Sequence, residues 1–225
     1  MKAGRITIST RKFAVTEVPT PNAGPGQVRI KVGAAGVCLS DVHLLDSTLS
    51  PGYLKGDEVT LGHEVATIDQ LGEGVHTYQV GDRVLVIAGE RNEKNQITTL
   101  GFDYDGGYAE YVVTKAALIV KIPDDLPFEE AAIIPDAVST PWAAISSTAK
   151  MQPGESAAVF GVGGLGIHAV QLLKMLGCSK VIAIDPRPDA RAKALEIGAD
   201  FAFDPSDEEL KKHRGLNAAF DFAGV

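Results

Sequence analysis

The stretch S-A-A-V-F-G-V-G-G-L-G-I-H-A-V-Q-L-L-K-M-L-G, residues 156–177, constrains this chain more than any other. Five mostly apolar residues, short enough for a buried strand, run into a glycine cluster, and apolar residues then recur at helical spacing until Gly177. The predicted unit is strand, tight turn, helix. In the spacing Gly161-x-Gly163-Gly164-x-Gly166 each motif glycine has a task. The first permits the turn, the second lets backbone approach a pyrophosphate, and the third lets the helix pack on the strand. The helix start, Gly164 and Leu165, would offer unpaired N–H groups and partial positive charge to phosphate oxygens.

K-V-I-A-I-D reads as the next strand, with Asp185 at its end. That is about 20 residues beyond the glycines, where an acid can bond ribose hydroxyls. Such an acid repels a 2′-phosphate, so the pattern favours NAD over NADP. Arg187 complicates this, since a basic side chain there could accept that phosphate; the plainer reading is a solvated surface arginine. A-R-A-K-A-L-E-I-G-A then reads as a helix, and F-A-F and L-N-A-A-F-D-F as short strands. Strands alternating with helices predict a parallel sheet.

The N-terminal part has another style. R-I-T-I, Q-V-R-I-K-V, E-V-A-T-I-D-Q-L-G, D-R-V-L-V-I and Y-A-E-Y-V-V are short alternating runs separated by turn-forming segments. They predict a mostly antiparallel, barrel-like β domain. From P-F-E-E-A-A-I-I-P-D onward helical spacing appears, broken by Pro135 and Pro141, and Trp142 reads as core. The fold class is therefore α/β, with domains over residues 1–145 and 146–225.

Composition bounds the partners. Asp and Glu number 29 against 21 Lys and Arg, which argues against a nucleic-acid binder. Cys38 and Cys178 are the only cysteines, so a disulfide framework is not expected and a reducing, cytoplasmic setting fits. The N-terminus shows no apolar signal-peptide core, and no run of eighteen apolar residues predicts a membrane span.

G-V-C-L-S-D-V-H, residues 36–43, and L-G-H-E-V, residues 61–65, contain Cys38 and His63, residue types that bind zinc. Two such residues do not make a site, and a lone cysteine is more often a small buried hydrophobe. Together with V-G-D-R-V and G-V-G-G-L-G, however, these motifs resemble the zinc-dependent alcohol dehydrogenases of the medium-chain dehydrogenase/reductase family. The resemblance runs the length of the chain. It implies a GroES-like catalytic domain followed by part of a Rossmann NAD-binding domain.

By position, the resemblance makes Cys38 and His63 the first two ligands of one catalytic zinc. Asp136 stands where many members place a third, a cysteine; it could otherwise be a helix N-cap after Pro135. Three ligands leave a fourth position for substrate. Glu64 matches a glutamate close to the metal, and Asp41 an acid that orients the histidine ligand; Asp41 could otherwise cap a helix beginning near Val42. Ser40 matches the hydroxyl that takes the alcohol proton, and His43 the residue that relays it. Thr140 matches a residue beside the nicotinamide. The four-cysteine lobe of many members is absent, so no structural zinc is expected; the segment replacing it, residues 88–104, reads as mobile or as part of the substrate entrance. Phe102 and Ala88 fall where members line the substrate pocket, but the altered segment leaves them unassigned.

The implied activity is reversible hydride transfer between an alcohol, secondary by the aspartate ligand, and NAD. Full-length members are homo-oligomers; for this chain that stays open. Only strands for the first half and a fourth strand of a doubly wound sheet can be placed, so the chain reads as C-terminally truncated. The rival readings are an inert zinc- or NAD-binding fragment and a zinc-free relative of the quinone-reductase kind.

Overall fold

A computed structural model describes residues 1–224, apart from the side chains of residues 63–66. The chain forms two compact units, Met1–Asp136 and Ala137–Val225. The division falls earlier than residue 145 because the helical segment after Asp136 packs with the second unit's own helices.

In the first unit the elements are β1 (Lys2–Thr7), β2 (Lys12–Glu17), β3 (Gln27–Gly36), α1 (Leu39–Leu45), β4 (Glu58–Thr60), β5 (His63–Leu71), β6 (Arg83–Val86), β7 (Gly89–Arg91), β8 (Ile97–Thr99), β9 (Tyr111–Lys115), β10 (Ile119–Lys121) and α2 (Phe128–Ala131). Sheets of order β10-β6-β5-β3-β9 and β2-β1-β4 carry the unit, and β7-β8 forms a separate hairpin. Every pairing between these strands is antiparallel, as the alternating runs predict. The alternation has its usual cause: Val28 and Ile30 are fully buried among Ile68, Val84, Val86 and Val112, while the intervening side chains face outward.

Segment 88–104, expected to be mobile or part of the substrate entrance, contains the hairpin β7-β8. The Asn92 side-chain oxygen accepts the N–H groups of Lys94 and Gln96, and Asn95 takes a left-handed φ of 60° that closes the turn.

The second unit contains α3 (Ser139–Ala143), β11 (Ser156–Phe160), α4 (Gly164–Leu176), β12 (Lys180–Ile184), α5 (Pro188–Glu196), β13 (Phe201–Phe203) and β14 (Ala218–Asp221). Wide π-type turns, Ile134–Val138 and Ala144–Thr148, flank α3. Pro135 and Pro141 therefore do not end the helical path. Each falls in the first turn of its segment, where its missing N–H would have had no helical partner. Trp142, expected in the core, is 39% exposed. Its neighbour Pro141 takes the buried face, and a one-residue step turns the side chain about 100° away.

The sheet is parallel, in the order β13-β12-β11-β14. In-register pairing aligns Phe160 with Ile184 and Asp221, and Ile184 with Phe203. The glycine turn and Asp185 thus leave the sheet at the same edge, the carboxyl ends of the strands, where such sheets bind ligands. Ala157, Val159, Val181 and Ala183 pack fully buried against Ala169, Val170 and Leu173 of α4. Gly177 ends that helix with a φ of 90°.

Two of the motif glycines are required by the fold itself. Gly161 has a φ of 78°, and a Cβ there would lie 2.5 Å from the Ala223 backbone. A Cβ on Gly166 would lie 1.8 Å from the Gly161 carbonyl oxygen. Gly163 differs: its φ is −90°, and a Cβ there would come no closer to protein than 4.0 Å, at Arg187 Nη2. Urea unfolding should therefore find Gly166→Ala less stable by at least about 1–3 kcal/mol, and Gly163→Ala within about 0.5 kcal/mol of the parent. Equal losses in the two variants would contradict this division of roles.

Candidate active site

In the first unit, β3 ends at Gly36 and the chain turns at Cys38 into α1. Cys38 is the N-cap, with extended backbone at φ −113° and ψ 152°. The helix begins at Leu39, earlier than Val42, so Asp41 lies inside its first turn and does not cap it from outside. From there Asp41 Oδ2 accepts the Cys38 N–H at 3.0 Å, which fixes the backbone that carries the thiol. The Tyr108 hydroxyl stands 2.9 Å from the same oxygen and 3.1 Å from the Gly36 carbonyl. Asp41 is 4% exposed, and its Oδ1 is buried with no hydrogen-bond partner among the described residues. Tyr108 was not singled out from sequence; only its place after the glycine pair of D-G-G-Y hints that it turns inward.

Asp136 comes from the far end of the unit, in the wide turn Ile134–Val138. The residue preceding α3 is Val138, so Asp136 is not that helix's N-cap. Its side chain hydrogen-bonds to Cys38, and Ser40 meets the same sulfur through both hydroxyl and backbone N–H. Burial pushes the Cys38 thiol up; its hydrogen bond to Asp136 pushes it further, and the two bonds from Ser40 pull only partly back. The two β3 glycines make the meeting possible. A Cβ on Gly33 would stand 2.6 Å from the Phe128 ring, and one on Gly36 2.9 Å from the Ala132 carbonyl oxygen. Without side chains there, α2 and the segment leading to Asp136 lie directly on the strand.

His63 begins β5, and its backbone pairs opposite Gly36, two residues before Cys38. The side chains of His63 and Glu64 lie outside the described residues. Among those described, no group of three or more His, Cys, Asp and Glu side chains gathers at metal-ligand distance. The donor set nevertheless fits a cation. A thiol and a carboxyl group stand together there, and thiolate sulfur and carboxylate oxygen both bind zinc. His43, one turn beyond Ser40 on α1, places Nδ1 3.5 Å from Asp46 Oδ2. The Asp46 carboxyl is held below the usual range, chiefly by the Thr48 hydroxyl and N–H and less by His43.

In the second unit Gly161, Gly163, Gly164, Leu165 and Gly166 form one turn and helix start. The space above Gly163 and Gly164 is open, as approach of a pyrophosphate requires. Asp185 is 3% exposed and braces this turn, its Oδ2 accepting the Val162 N–H at 2.8 Å. Arg187, expected to be a solvated arginine, forks onto the same carboxylate through Nε at 3.1 Å and Nη2 at 3.2 Å. Burial alone would raise the Asp185 carboxyl; the bonds from Arg187 and Val162 outweigh it and hold it below the usual range. Thr140 lies exposed in α3.

Two predictions follow from these geometries. Gly36→Ala should push the Ala132–Asp136 segment off the strand, destabilise by about 1–3 kcal/mol, and lower zinc retention after dialysis well below the parent's. Retention equal to the parent's would contradict it. Asp185 binds its native proton more weakly than an unfolded chain would, so its contribution to stability is full above the ordinary aspartate range and fades as pH falls through the lowered value. The stability gap between parent and Asp185→Asn, followed by urea unfolding, should therefore close on acidification; a gap constant with pH would refute this.

Comparison with known proteins bears on both halves. Residues 24–124 match the alcohol dehydrogenase GroES-like domain, and residues 164–225 the zinc-binding dehydrogenase domain. The (R,R)-butanediol dehydrogenase of Bacillus subtilis is 32% identical over 252 residues, covering 100% of this chain and 71% of that protein. An alcohol dehydrogenase of Geobacillus stearothermophilus is 35% identical over 225 residues, covering 93% of this chain and 65% of its own length. The chain thus spans about two thirds of these curated relatives. The acetophenone reductase of Geotrichum candidum, solved with NAD, superposes with a TM-score of 0.87 at 28% identity, covering 100% of this chain and 69% of that one. Another solved neighbour holds NADP. No helix among the described residues is long and apolar enough to cross a membrane. The match of both domains in order, with a relative aligned over the whole chain, places this protein in the zinc-dependent alcohol dehydrogenase family of medium-chain dehydrogenases.

Proposed function

We propose that this chain catalyses, or carries the principal residues for, reversible hydride transfer between a secondary alcohol and NAD. The observation that carries the reading is the convergence of Asp136 and Ser40 on the Cys38 sulfur. A structural cysteine would have no reason to collect, beside the neighbouring Ser40 hydroxyl, a carboxylate from almost 100 residues away in sequence. Butanediol and acetophenone, in the names of relatives, are a secondary diol and the ketone of a secondary alcohol; both support that substrate class.

Cys38, His63 and Asp136 would hold one zinc. Thiolate, imidazole and carboxylate together carry the −2 that balances Zn²⁺. When bound, zinc supplies Lewis-acid polarisation of the substrate oxygen, and the nicotinamide accepts the hydride. The chain's own residues do the rest. Asp41 holds the Cys38 backbone, and its Oδ1, unpartnered among the described residues, is the acceptor we assign to the His63 imidazole N–H. Ser40, already bonded at the Cys38 sulfur, takes the hydroxyl proton of the alcohol. His43 receives it one helical turn further on, with the ionised Asp46 beyond it toward solvent. Glu64, next to His63 in sequence, is assigned a place beside the metal. In the second unit, the open backbone at Gly163 and Gly164 receives the pyrophosphate, Asp185 the adenosine ribose, and Thr140 the nicotinamide end.

Metal content and turnover test this together. The purified chain should hold about one zinc, as the single catalytic set requires, and should form NADH from 2-propanol or 2,3-butanediol. Asp136→Ala should lose most of the zinc. Ser40→Ala should keep the zinc while kcat falls by roughly 10²–10⁴. A metal-free chain that still reduces quinones would overturn the reading in favour of the zinc-free relative. Zinc retained equally by the parent and Asp136→Ala would remove Asp136 from the ligand set.

A further inference from the structure

Asp185 has no acceptor to spare. Its Oδ1 takes the Arg187 N–H at 2.9 Å and Nε at 3.1 Å; its Oδ2 takes the Val162 N–H at 2.8 Å and Arg187 Nη2 at 3.2 Å. A carboxylate offers about four lone-pair positions, and here four donors fill them. A ribose hydroxyl cannot bond to this carboxylate until a donor leaves. The Val162 and Arg187 backbone N–H groups are fixed by the turns that carry them. The guanidinium is not: its side chain is 58% exposed and is held there only by Asp185 among the bonds the structure shows. Arg191, the nearby alternative, is committed elsewhere, with Nη1 2.7 Å from the Asp185 carbonyl oxygen and 3.2 Å from Asp204 Oδ2. Arg187 Nη2 also lies 4.0 Å from where a Cβ on Gly163 would be, so the guanidinium overhangs the open part of the turn.

We propose that Arg187 is a latch on the cofactor site that sets the balance between NAD and NADP. In the free protein its guanidinium occupies Asp185. NAD, whose ribose hydroxyls need that carboxylate, must displace it. NADP recruits it, because the guanidinium already stands beside the carboxylate that would otherwise repel a 2′-phosphate, and its fork suits phosphate oxygens. The latch therefore weakens NAD binding and supports NADP binding. Asp185 makes NAD the preferred cofactor; Arg187 narrows the preference. The inference rests on the reading of the glycine turn as a nicotinamide dinucleotide site.

Calorimetric titration of NAD and NADP into the full chain tests it, with parent, Arg187→Ala and Arg187→Lys. An ion pair with one exposed partner is worth no more than modest affinity, so Arg187→Ala should bind NAD about 3- to 5-fold tighter. The same variant should bind NADP roughly tenfold weaker or worse, having lost charge-assisted bonds. Arg187→Lys, which keeps charge without the fork, should lie between the parent and Arg187→Ala for both cofactors. Opposite signs for the two cofactors are the signature, since a general structural defect would weaken both. NAD binding that is unchanged or weakened in Arg187→Ala would overturn the latch and leave the cofactor site standing. Failure of the parent and both variants to bind either dinucleotide would overturn the site and the latch together.

Discussion

The meeting of Cys38 with Asp136 is the contact on which the proposed zinc site depends. It joins the end of a central strand to a turn at the far edge of the unit, and nothing local holds the two together. What holds them is packing. Gly33 and Gly36 leave the surface of β3 bare, Phe128 and the Ala132 carbonyl fill the space, and Asp136 is delivered to the sulfur as a result. An added methyl group at either glycine would separate Cys38 from Asp136 without touching either of them. Position, more than residue type, distinguishes this cysteine from Cys178, which is buried near a helix end with no acid bonded to its sulfur.

The two units solve the same problem in the same way. Each must hold a stretch of backbone still at a helix N-terminus, where N–H groups lack helical partners. In each, an almost fully buried aspartate accepts an N–H of that stretch: Asp41 from Cys38, and Asp185 from Val162. The aspartates differ in what remains. Asp41 keeps one oxygen unpartnered among the described residues, an expensive state for a buried carboxylate unless a further donor is meant to arrive. Asp185 keeps none, because the exposed side chain of Arg187 fills the remaining positions.

The legibility of the sequence follows the distance over which each feature is encoded. The strand–turn–helix of β11 and α4 is contiguous, and its residues state their own roles: a buried run, glycines at fixed spacing, a closing glycine. The cysteine loop is equally local, with Ser40 and Asp41 close to Cys38 both in sequence and in space. The alternative reading of Asp41, as a cap before a helix beginning near Val42, gives way to a capping box: α1 begins at Leu39, and Asp41 in its first turn accepts the Cys38 N–H. β2 was missed because all six of its residues are exposed, so it has no inward face to impose a period. The meeting of Cys38 and Asp136 is not encoded by spacing at all. It was expected only through resemblance to a family, and the glycines that cause it carried no visible signal.

Arg187 shows why a residue's partner cannot be inferred from its type. Two residues after Asp185 and at the N-cap of α5, it looks like an arginine directed to water, and more than half of its side chain is indeed exposed. Exposure and function are compatible here because a latch must be able to leave. A buried guanidinium on Asp185 would neutralise the carboxylate permanently and close the site to a ribose. A fully solvated one would leave the carboxylate free to repel a 2′-phosphate without relief. The observed geometry lies between these limits: a fork that fills the acceptor, on a side chain more than half exposed. A two-residue separation achieves this, since it puts the guanidinium within reach of the carboxylate while the start of α5 carries the rest of the chain away.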